Sequence, residues 1–317
     1  MSDFTAPVFI VGCGRSGTTL LRLMLNSHTR IGIPGETWYF PELHADLAMI
    51  MGWSELEWRE RLTQRIAAST VFPQLGIKIE SLRNQLESLT RDQWPSVVAA
   101  ANLAFAKGER KARWGDKTPG YVRCLPTIKE LFPDAKILHM IRDGRDVALS
   151  FLRQSFGPNA ILEGADYWRA DVERGRRDGP QAFRDSYREV RYEELVTEPE
   201  RVLRDVCDAI GEAYEPAMLD YHGSAHRYLI DEQHWHVRTK SAPTSDGIER
   251  WREKMTLTDQ ALFELAAAPL LRDLGYTLTG ARTFNAYATW GRDRATRVWR
   301  GVVLKAKVTA HRALYGT

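Results

Sequence analysis

Hydrophobic positions recur with two different periods along this chain, and each change of period marks an element. Val8-Phe9-Ile10-Val11 is a short β-branched and aromatic run, the pattern of a buried strand. Gly12, Gly14 and Gly17 break it. From Thr18 to Ser27 the apolar residues Leu20, Leu21, Met24 and Leu25 fall at helical spacing. A short apolar piece, Ile31-Gly32-Ile33, then runs into Pro34-Gly35-Glu36-Thr37-Trp38-Tyr39-Phe40. From His44 to about Ala106 the period is helical: Ala45, Leu47, Ala48, Ile50 and Met51, then Trp53, Leu56 and Trp58, later Leu82, Leu86 and Leu89, and finally Val97 to Phe105. No strand pattern interrupts it. Residues 44–106 therefore read as a helical excursion between two strands, covering a sheet face or walling a substrate site.

Lys111 to Pro119 predicts a short strand, a break and a helix start, which puts Lys117 at the C-terminal end of a strand, where α/β sheets hold their ligands. Lys136–Ile141 is the clearest second core strand. Alternation sends Leu138, Met140 and Arg142 to one side and Ile137, His139 and Ile141 to the other, so His139 reads as a core residue and not a catalyst. A helix follows from about Val147, with Ser150 on its first turns. Asp166–Arg177 reads as a charged, mostly solvent-facing helix. Tyr187–Val190 reads as an edge strand leading to Arg191-Tyr192-Glu193-Glu194-Leu195, and Pro199–Gly211 as an amphipathic helix through Val202, Leu203, Val206 and Ile210. The stretch from His222 to Asp246 is polar, and Thr239–Ser245 within it reads as a flexible segment that closes over a ligand or serves as a linker. Strands alternating with helices predict the α/β class: a P-loop-type parallel sheet flanked by helices, with a helical insert after the first strand, loop and helix, and a basic C-terminal helix. The expected division is one domain over residues 1–280 and an extension over 281–317.

Composition narrows the class without changing this picture. At 317 residues the chain can bury a large core, and 44% hydrophobic with 27% charged residues is ordinary for a soluble enzyme. The net charge of +3 is unevenly spread: from Ala281 onward eight Arg and Lys face one acid, Asp293, so the rest of the chain is acidic on balance. Cys13, Cys124 and Cys207 lack metal-ligand spacing and are expected to be reduced thiols. His234 and His236 offer two ligands and no third, and no metal is expected. With no signal-peptide pattern and no run long enough to span a bilayer, the chain is expected to be cytoplasmic. The segment from Tyr287 is basic and amphipathic, with Val298, Trp299, Val302, Val303, Ala306, Ala310 and Leu314 at helical spacing. It is expected to lie on the anionic inner face of a membrane, or to dock on the domain or on a second copy in a homodimer; no nucleic-acid partner is expected.

The chemistry concentrates in three places. Strand, glycine loop and helix make a cradle for an anion, because glycines let the backbone approach and the helix start offers free amides. The spacing from Gly12 to Gly17 matches the first part of G-x-x-x-x-G-K-[ST], but Thr18 stands where the lysine belongs, which speaks against a triphosphate. Arg15 supplies a cation in the loop, and Thr18 and Thr19 supply hydroxyls; the alternative is a tight turn. Glu36 stands before three aromatics. Burial there would raise its pKa and suit it to proton transfer, or the carboxylate caps or pairs with a cation. Arg142 with Ser150 suits a phosphate monoester; the alternative is an Arg–Asp pair with Asp143 or Asp146.

With Arg15-Ser16-Gly17-Thr18-Thr19-Leu20-Leu21 and Arg142-Asp143-Gly144-Arg145-Asp146 through Ser150 both in view, the chain resembles PAPS-dependent sulfotransferases, PAPS being 3′-phosphoadenosine 5′-phosphosulfate. The likeness is to the bacterial branch and the tyrosylprotein sulfotransferases, over about Pro7 to Trp251. It implies that Arg15, Ser16, Gly17, Thr18 and Thr19 hold the 5′-phosphosulfate, and that Arg142 and Ser150 hold the 3′-phosphate. It further implies Glu36 as general base, Lys117 beside the transferring group, Tyr192 beside the adenine nucleotide, and the segment at Thr244-Ser245 as a closing loop. PAP would be the product, and no divalent metal is called for. Cytosolic small-molecule sulfotransferases carry a lysine in the first loop and a histidine base; here Arg15 replaces the lysine and no histidine follows, which moves the base role to Glu36. The implied reaction is transfer of the sulfuryl group to an acceptor hydroxyl, with a carbohydrate, lipid-linked or small alcohol favoured and a peptide tyrosine open. The alternatives are a P-loop-type nucleotide kinase and a non-catalytic nucleotide-binding protein.

Overall fold

In the computed structural model, which describes residues 6–55, 57–223 and 244–296, the first strand lies in the middle of the sheet. The five strands are β1 (Val8–Gly12), β2 (Ile31–Gly32), β3 (Arg113–Lys117), β4 (Lys136–Ile141) and β5 (Tyr187–Arg191), in the order β2-β3-β1-β4-β5. Every neighbouring pair is parallel. Val8–Val11 is an unbroken apolar run because β1 is covered on both faces. Val8 pairs with Gly115 and Lys136, Ile10 with Lys117 and Leu138, and Gly12 with Met140. From β1 the chain turns to β2 and β3 on one side and later to β4 and β5 on the other. The C-terminal end of β1 is thus the point where the strand order reverses, the place where such sheets open a crevice for a ligand.

Helix α1 (Thr18–Asn26) follows the glycine loop. The helical excursion begins at Phe40 and ends at Gly108, a few residues wider than its pattern predicts. It is broken into α2 (Phe40–Ala45), α3 (Leu47–Met51), α4 (Trp58–Ala67), α5 (Ile79–Glu87), α6 (Trp94–Val98) and α7 (Ala100–Gly108). Gly52, Pro73, Gly76 and Pro95 punctuate it. Then come α8 (Leu125–Leu131), α9 (Gly144–Phe151), α10 (Ile161–Phe183), α11 (Tyr192–Thr197), α12 (Pro199–Ile210), α13 (Trp251–Lys254) and α14 (Leu257–Asp273). Helix α10 departs from the expectation of a solvent-facing element. It is longer, and Ala165, Trp168, Asp171 and Val172 along it are buried. Its charges hide this face, because buried Asp171 is paired with Arg123 at 2.6 Å.

The chain divides into two compact units: residues to Arg142 with Ala170–Ile248, and Asp143–Arg169 with the chain from Glu249. In the first unit alternation along β1 feeds two cores. Phe9 and Val11 join Phe40, Trp114, Tyr121 and Phe132 on one sheet face, with Phe9 edge-on to Trp114 at 5.9 Å. Val8 and Ile10 join Leu21 and Leu25 of α1 and Leu203 and Val206 of α12 on the other. Each such side chain contributes about 1.5–3 kcal/mol by leaving water. His139 is in the core as expected; its Nδ1 meets the Tyr187 hydroxyl at 2.6 Å, and burial pushes its pKa down to about 3, so the ring is neutral. In the second unit Asp143 caps α9 by accepting from the Arg145 amide at 2.9 Å. The Arg145 guanidinium binds Asp143 and Glu264 and lies 3.6 Å over Trp251. Within this motif Arg145 makes an Arg–Asp pair with Asp143 at 2.8 Å.

Residues 284–296 are helical; the rest of the basic segment, 297–317, and His226, His234 and His236 lie outside the described residues. Among the described residues no helix is long and apolar enough to cross a membrane, and no group of three or more His, Cys, Asp or Glu could hold a metal ion. Gly12 has φ +143°, and a Cβ there would stand 2.5 Å from the Met140 carbonyl oxygen. Gly12→Ala should therefore destabilise the fold by on the order of 2 kcal/mol or more, read as a lower urea midpoint; an unchanged midpoint would refute this close approach.

Candidate active site

The loop after β1 turns on two left-handed residues, Arg15 at φ +70° and Gly17 at φ +94°. Gly17 is the N-cap of α1 and offers no side chain, and the first turn carries no acid. The amides of Thr18, Thr19 and Leu20 have no acceptor within the helix, and its positive end faces the loop. Ser16 is fully buried, and its hydroxyl has no hydrogen-bond partner among the described residues. Uncapped amides, an orphaned hydroxyl and a nearby guanidinium together fit an anionic group.

Arg142 leaves β4 at the same rim. Its Nη1 donates to the Arg15 carbonyl at 3.0 Å and its Nη2 to the Gly247 carbonyl at 2.7 Å. The guanidinium lies 4.3 Å over the Tyr192 ring. Tyr192 in turn fills the space beside Gly17, where a Cβ would be 2.4 Å from its ring. Burial, and then the charge of Arg142, lower the pKa of Arg15; Glu36 opposes them. Arg15, Ser16, Gly17, Thr18, Thr19, Arg142, Tyr192 and the segment at Gly247 are thus brought together. Ser150 lies on α9, in the second unit.

Glu36 and Lys117, 81 positions apart, meet at 2.6 Å through Oε1 and Nζ. Trp38 Nε1 donates to the other oxygen, Oε2, at 2.7 Å. The Lys117 side chain is 4% exposed and that of Glu36 26%. Burial pushes the Glu36 pKa up, but the charge and hydrogen bond of Lys117, the Trp38 donor and the charge of Arg22 outweigh it and hold the carboxyl below its usual range. The raised pKa suggested by the neighbouring aromatics does not arise; the carboxylate pairs with a cation instead. Lys117 is itself lowered by burial, with Glu36 opposing. Trp38 has φ +60°, is 44% exposed, and its ring covers Gly120, where a Cβ would be 2.5 Å away. Thr37, Trp38 and Tyr39 also wall a cavity of about 500 Å³ with Leu43, Ile66 and Val71. Arg65 and Glu42 line it too, and Arg65 is paired with Asp46.

Two participants are absent from the pattern reading. Arg22 is buried on α1, donates from Nε to the Ile33 carbonyl at 3.0 Å, and acts on both Glu36 and Lys117. A signal for it exists: Thr18, Arg22 and Asn26 recur every four residues in a helix whose remaining residues after Thr19 are all apolar. Asp116, next to Lys117, is fully buried and accepts from Thr37 Oγ1 at 2.9 Å and Asn102 Nδ2 at 3.2 Å. Burial pushes its carboxyl up to about 6 against the hydrogen bonds from Thr118, Thr37 and Asn102.

Comparison with known proteins gives a concordant result. The model of a family described as Sulfotransferase family matches residues 7–216. Protein-tyrosine sulfotransferase A of Caenorhabditis elegans is 27% identical over 288 residues, covering 86% of this chain and 68% of that protein. Nodulation protein NoeE of Sinorhizobium fredii is 26% identical over 301 residues, covering 84% and 65%. Among solved structures, the sulfotransferase domain of the Synechococcus PCC 7002 olefin synthase superposes with a TM-score of 0.59 at 24% identity, covering 87% of this chain and 98% of that one. That likeness concerns the fold.

Asp116 also gives the site a pH signature. Its folded pKa of about 6 lies above the ordinary 3.8, so between those values the folded protein binds more protons than the unfolded one. Stability from this group is present at low pH and lost as pH rises through about 6. Thermal melts across pH 4–8 should show wild type losing ground to Asp116→Asn between about pH 4 and about pH 6, and no further ground above that. Parallel profiles for the two would overturn the assignment.

Proposed function

The chain belongs to the sulfotransferase family, and on that premise we propose that it moves the sulfuryl group of PAPS to an acceptor hydroxyl with Glu36 as general base. Membership makes it a sulfotransferase, which sets aside the kinase and non-catalytic alternatives, and implies PAPS as donor. When bound, PAPS supplies the sulfuryl group as a mixed anhydride on its 5′-phosphate. The residues fit such a donor: the α1 amides, the buried Ser16 hydroxyl and Arg15 suit the 5′-phosphosulfate, and the missing Walker lysine suits a nucleotide with no γ-phosphate. Arg142 would take the 3′-phosphate, with Tyr192 against the nucleotide.

The observation that carries the reading is the Glu36–Lys117 pair at the rim beside the loop. Held below the usual range, Glu36 is ionised at neutral pH and ready to accept a proton. Each carboxylate oxygen has two lone pairs, so an acceptor O–H can be received without breaking the bonds to Lys117 or Trp38. When Glu36 takes that proton, Lys117 loses its counter-charge. Its buried ammonium is then left to neutralise negative charge developing on the leaving side, together with Arg15 and the loop amides. Such help grows along the reaction, and only stabilisation of that kind accelerates it.

The cavity beside Trp38 is the proposed acceptor site. Its aromatic and aliphatic wall, with Arg65 already paired to Asp46, favours the hydroxyl of a carbohydrate, a lipid-linked group or a small alcohol. A peptide tyrosine, the acceptor in the name of the Caenorhabditis elegans relative, is the competing reading. Labelled PAPS offered with acceptors of each class would separate them. With the accepted substrate, Glu36→Gln should lower turnover on the order of 10²–10⁴-fold while PAP still binds; unchanged turnover would remove Glu36 from the role. Arg142→Ala should weaken PAP about tenfold or more and leave 5′-AMP less affected; equal losses for both would refute the 3′-phosphate assignment.

A further inference from the structure

We propose that Asp116 and Thr37 are positioning residues for Glu36: they form the second half of a two-point clamp that holds the consecutive residues Glu36 and Thr37 against the consecutive residues Asp116 and Lys117. Strand alternation sends 116 and 117 to opposite faces of β3. On one face Glu36 meets Lys117 at 2.6 Å. On the other Thr37 Oγ1 donates to Asp116 Oδ2 at 2.9 Å, while the Thr37 amide donates to Thr118 Oγ1 at 3.0 Å. The loop therefore straddles the end of the strand and is gripped from both sides.

The donor count gives the second grip a direction. Thr37 has one hydroxyl proton, and it goes to Asp116, so in its 2.7 Å contact with the Tyr121 hydroxyl Thr37 must accept. Tyr121 in turn accepts from the Phe40 amide at 3.1 Å. The chain thus runs from Phe40 N–H through the Tyr121 and Thr37 hydroxyls to the Asp116 carboxylate, each link polarising the next. Asn102 donates to the same Asp116 oxygen at 3.2 Å and to the Gly115 carbonyl at 2.8 Å, which anchors the terminus of the chain to α7. Packing alone does not account for this arrangement, since a buried carboxylate costs free energy that an apolar isostere would not. What the chain does is pin residues 37 and 40, and with them the segment that begins at Glu36 and passes through strained Trp38. Displacement of a reacting group by about 1 Å is enough to cost two orders of magnitude in rate.

This inference rests on Glu36 being a site residue, but its test does not depend on which group takes the acceptor's proton. Glu36 is faced by Lys117 from β3, Arg22 from α1 and Arg15 from the glycine loop; Asp116 is faced by Lys117, Tyr39 and Tyr121. Thr37→Val removes the hydroxyl, keeps the shape and alters none of these charges. The Glu36 carboxyl is titrated by 13C NMR in glutamate-labelled protein, with Glu36→Gln identifying the signal. Loosening the pair with Lys117 should raise the Glu36 midpoint by roughly half a pH unit or more in Thr37→Val, and Thr37→Ser should restore it. PAP affinity should stay within about twofold, because Arg142 and the glycine loop are untouched. Tyr121→Phe cuts the chain one link earlier, also without a change of charge, and should shift the midpoint the same way; it serves if Thr37→Val does not fold. A Glu36 midpoint equal to wild type in the folded variant overturns the clamp. Failure of Glu36 as the base would appear separately, as undiminished turnover in Glu36→Gln.

Discussion

A buried ammonium needs a counter-charge, and that requirement at Lys117 organises the site. Taking such an ion out of water costs several kcal/mol unless a partner and hydrogen bonds compensate. β3 ends on Lys117 with the side chain 4% exposed, and Glu36 is the carboxylate that reaches it. The pairing draws the loop from Pro34 to Phe40 against the end of β3, leaves Trp38 with a positive φ, and keeps Glu36 ionised. Arg22 adds a second positive charge from α1, which depresses both partners' pKa values and is itself tied to the Ile33 carbonyl. The geometry of the loop and the electrostatics of Glu36 thus have one cause.

The glycine loop after β1 depends on a different constraint, the register of three parallel strands. Gly12 level with Met140, and Ile10 level with Lys117, bring the glycine loop, Lys117 and Arg142 to the same rim. Arg142 then closes on the loop through the Arg15 carbonyl and stacks on Tyr192, which packs against Gly17. The Arg142-Asp143-Gly144-Arg145-Asp146 run, contiguous in sequence, is divided by the fold. Arg142 belongs with the sheet, while Asp143 and Arg145 bind one another in the second unit.

Much of this was legible in the chain because it is local. The change from a strand period to a helical one around Gly12–Gly17 marks the strand, loop and helix found there, and alternation in Lys136–Ile141 divides that strand between the two cores as observed. Glu36 and Lys117 were each visible as candidates, but their contact was not, because no periodicity relates residues 81 apart. The pKa of Glu36 went the other way for the same reason: its aromatic neighbours are adjacent in sequence, and the cation that outweighs burial is not. Pattern alone does not single out Asp116 and Arg22, because a polar residue in an apolar element acquires meaning only from its partners. Helix α10 shows the converse, a buried face concealed by charges that are satisfied at a distance, as Asp171 is by Arg123.

The margins of the sheet carry a consequence for how this protein behaves when crowded. An exposed strand edge is a template onto which another chain can add, and proteins that must stay dispersed blunt it. Here one margin, β2, is only the two residues Ile31–Gly32, too short to seat a visiting strand. The other, β5, reads Tyr-Arg-Glu-Val-Arg, so a newcomer would have to align against alternating charge. Among the described strands, both borders are therefore poor nuclei for intermolecular pairing.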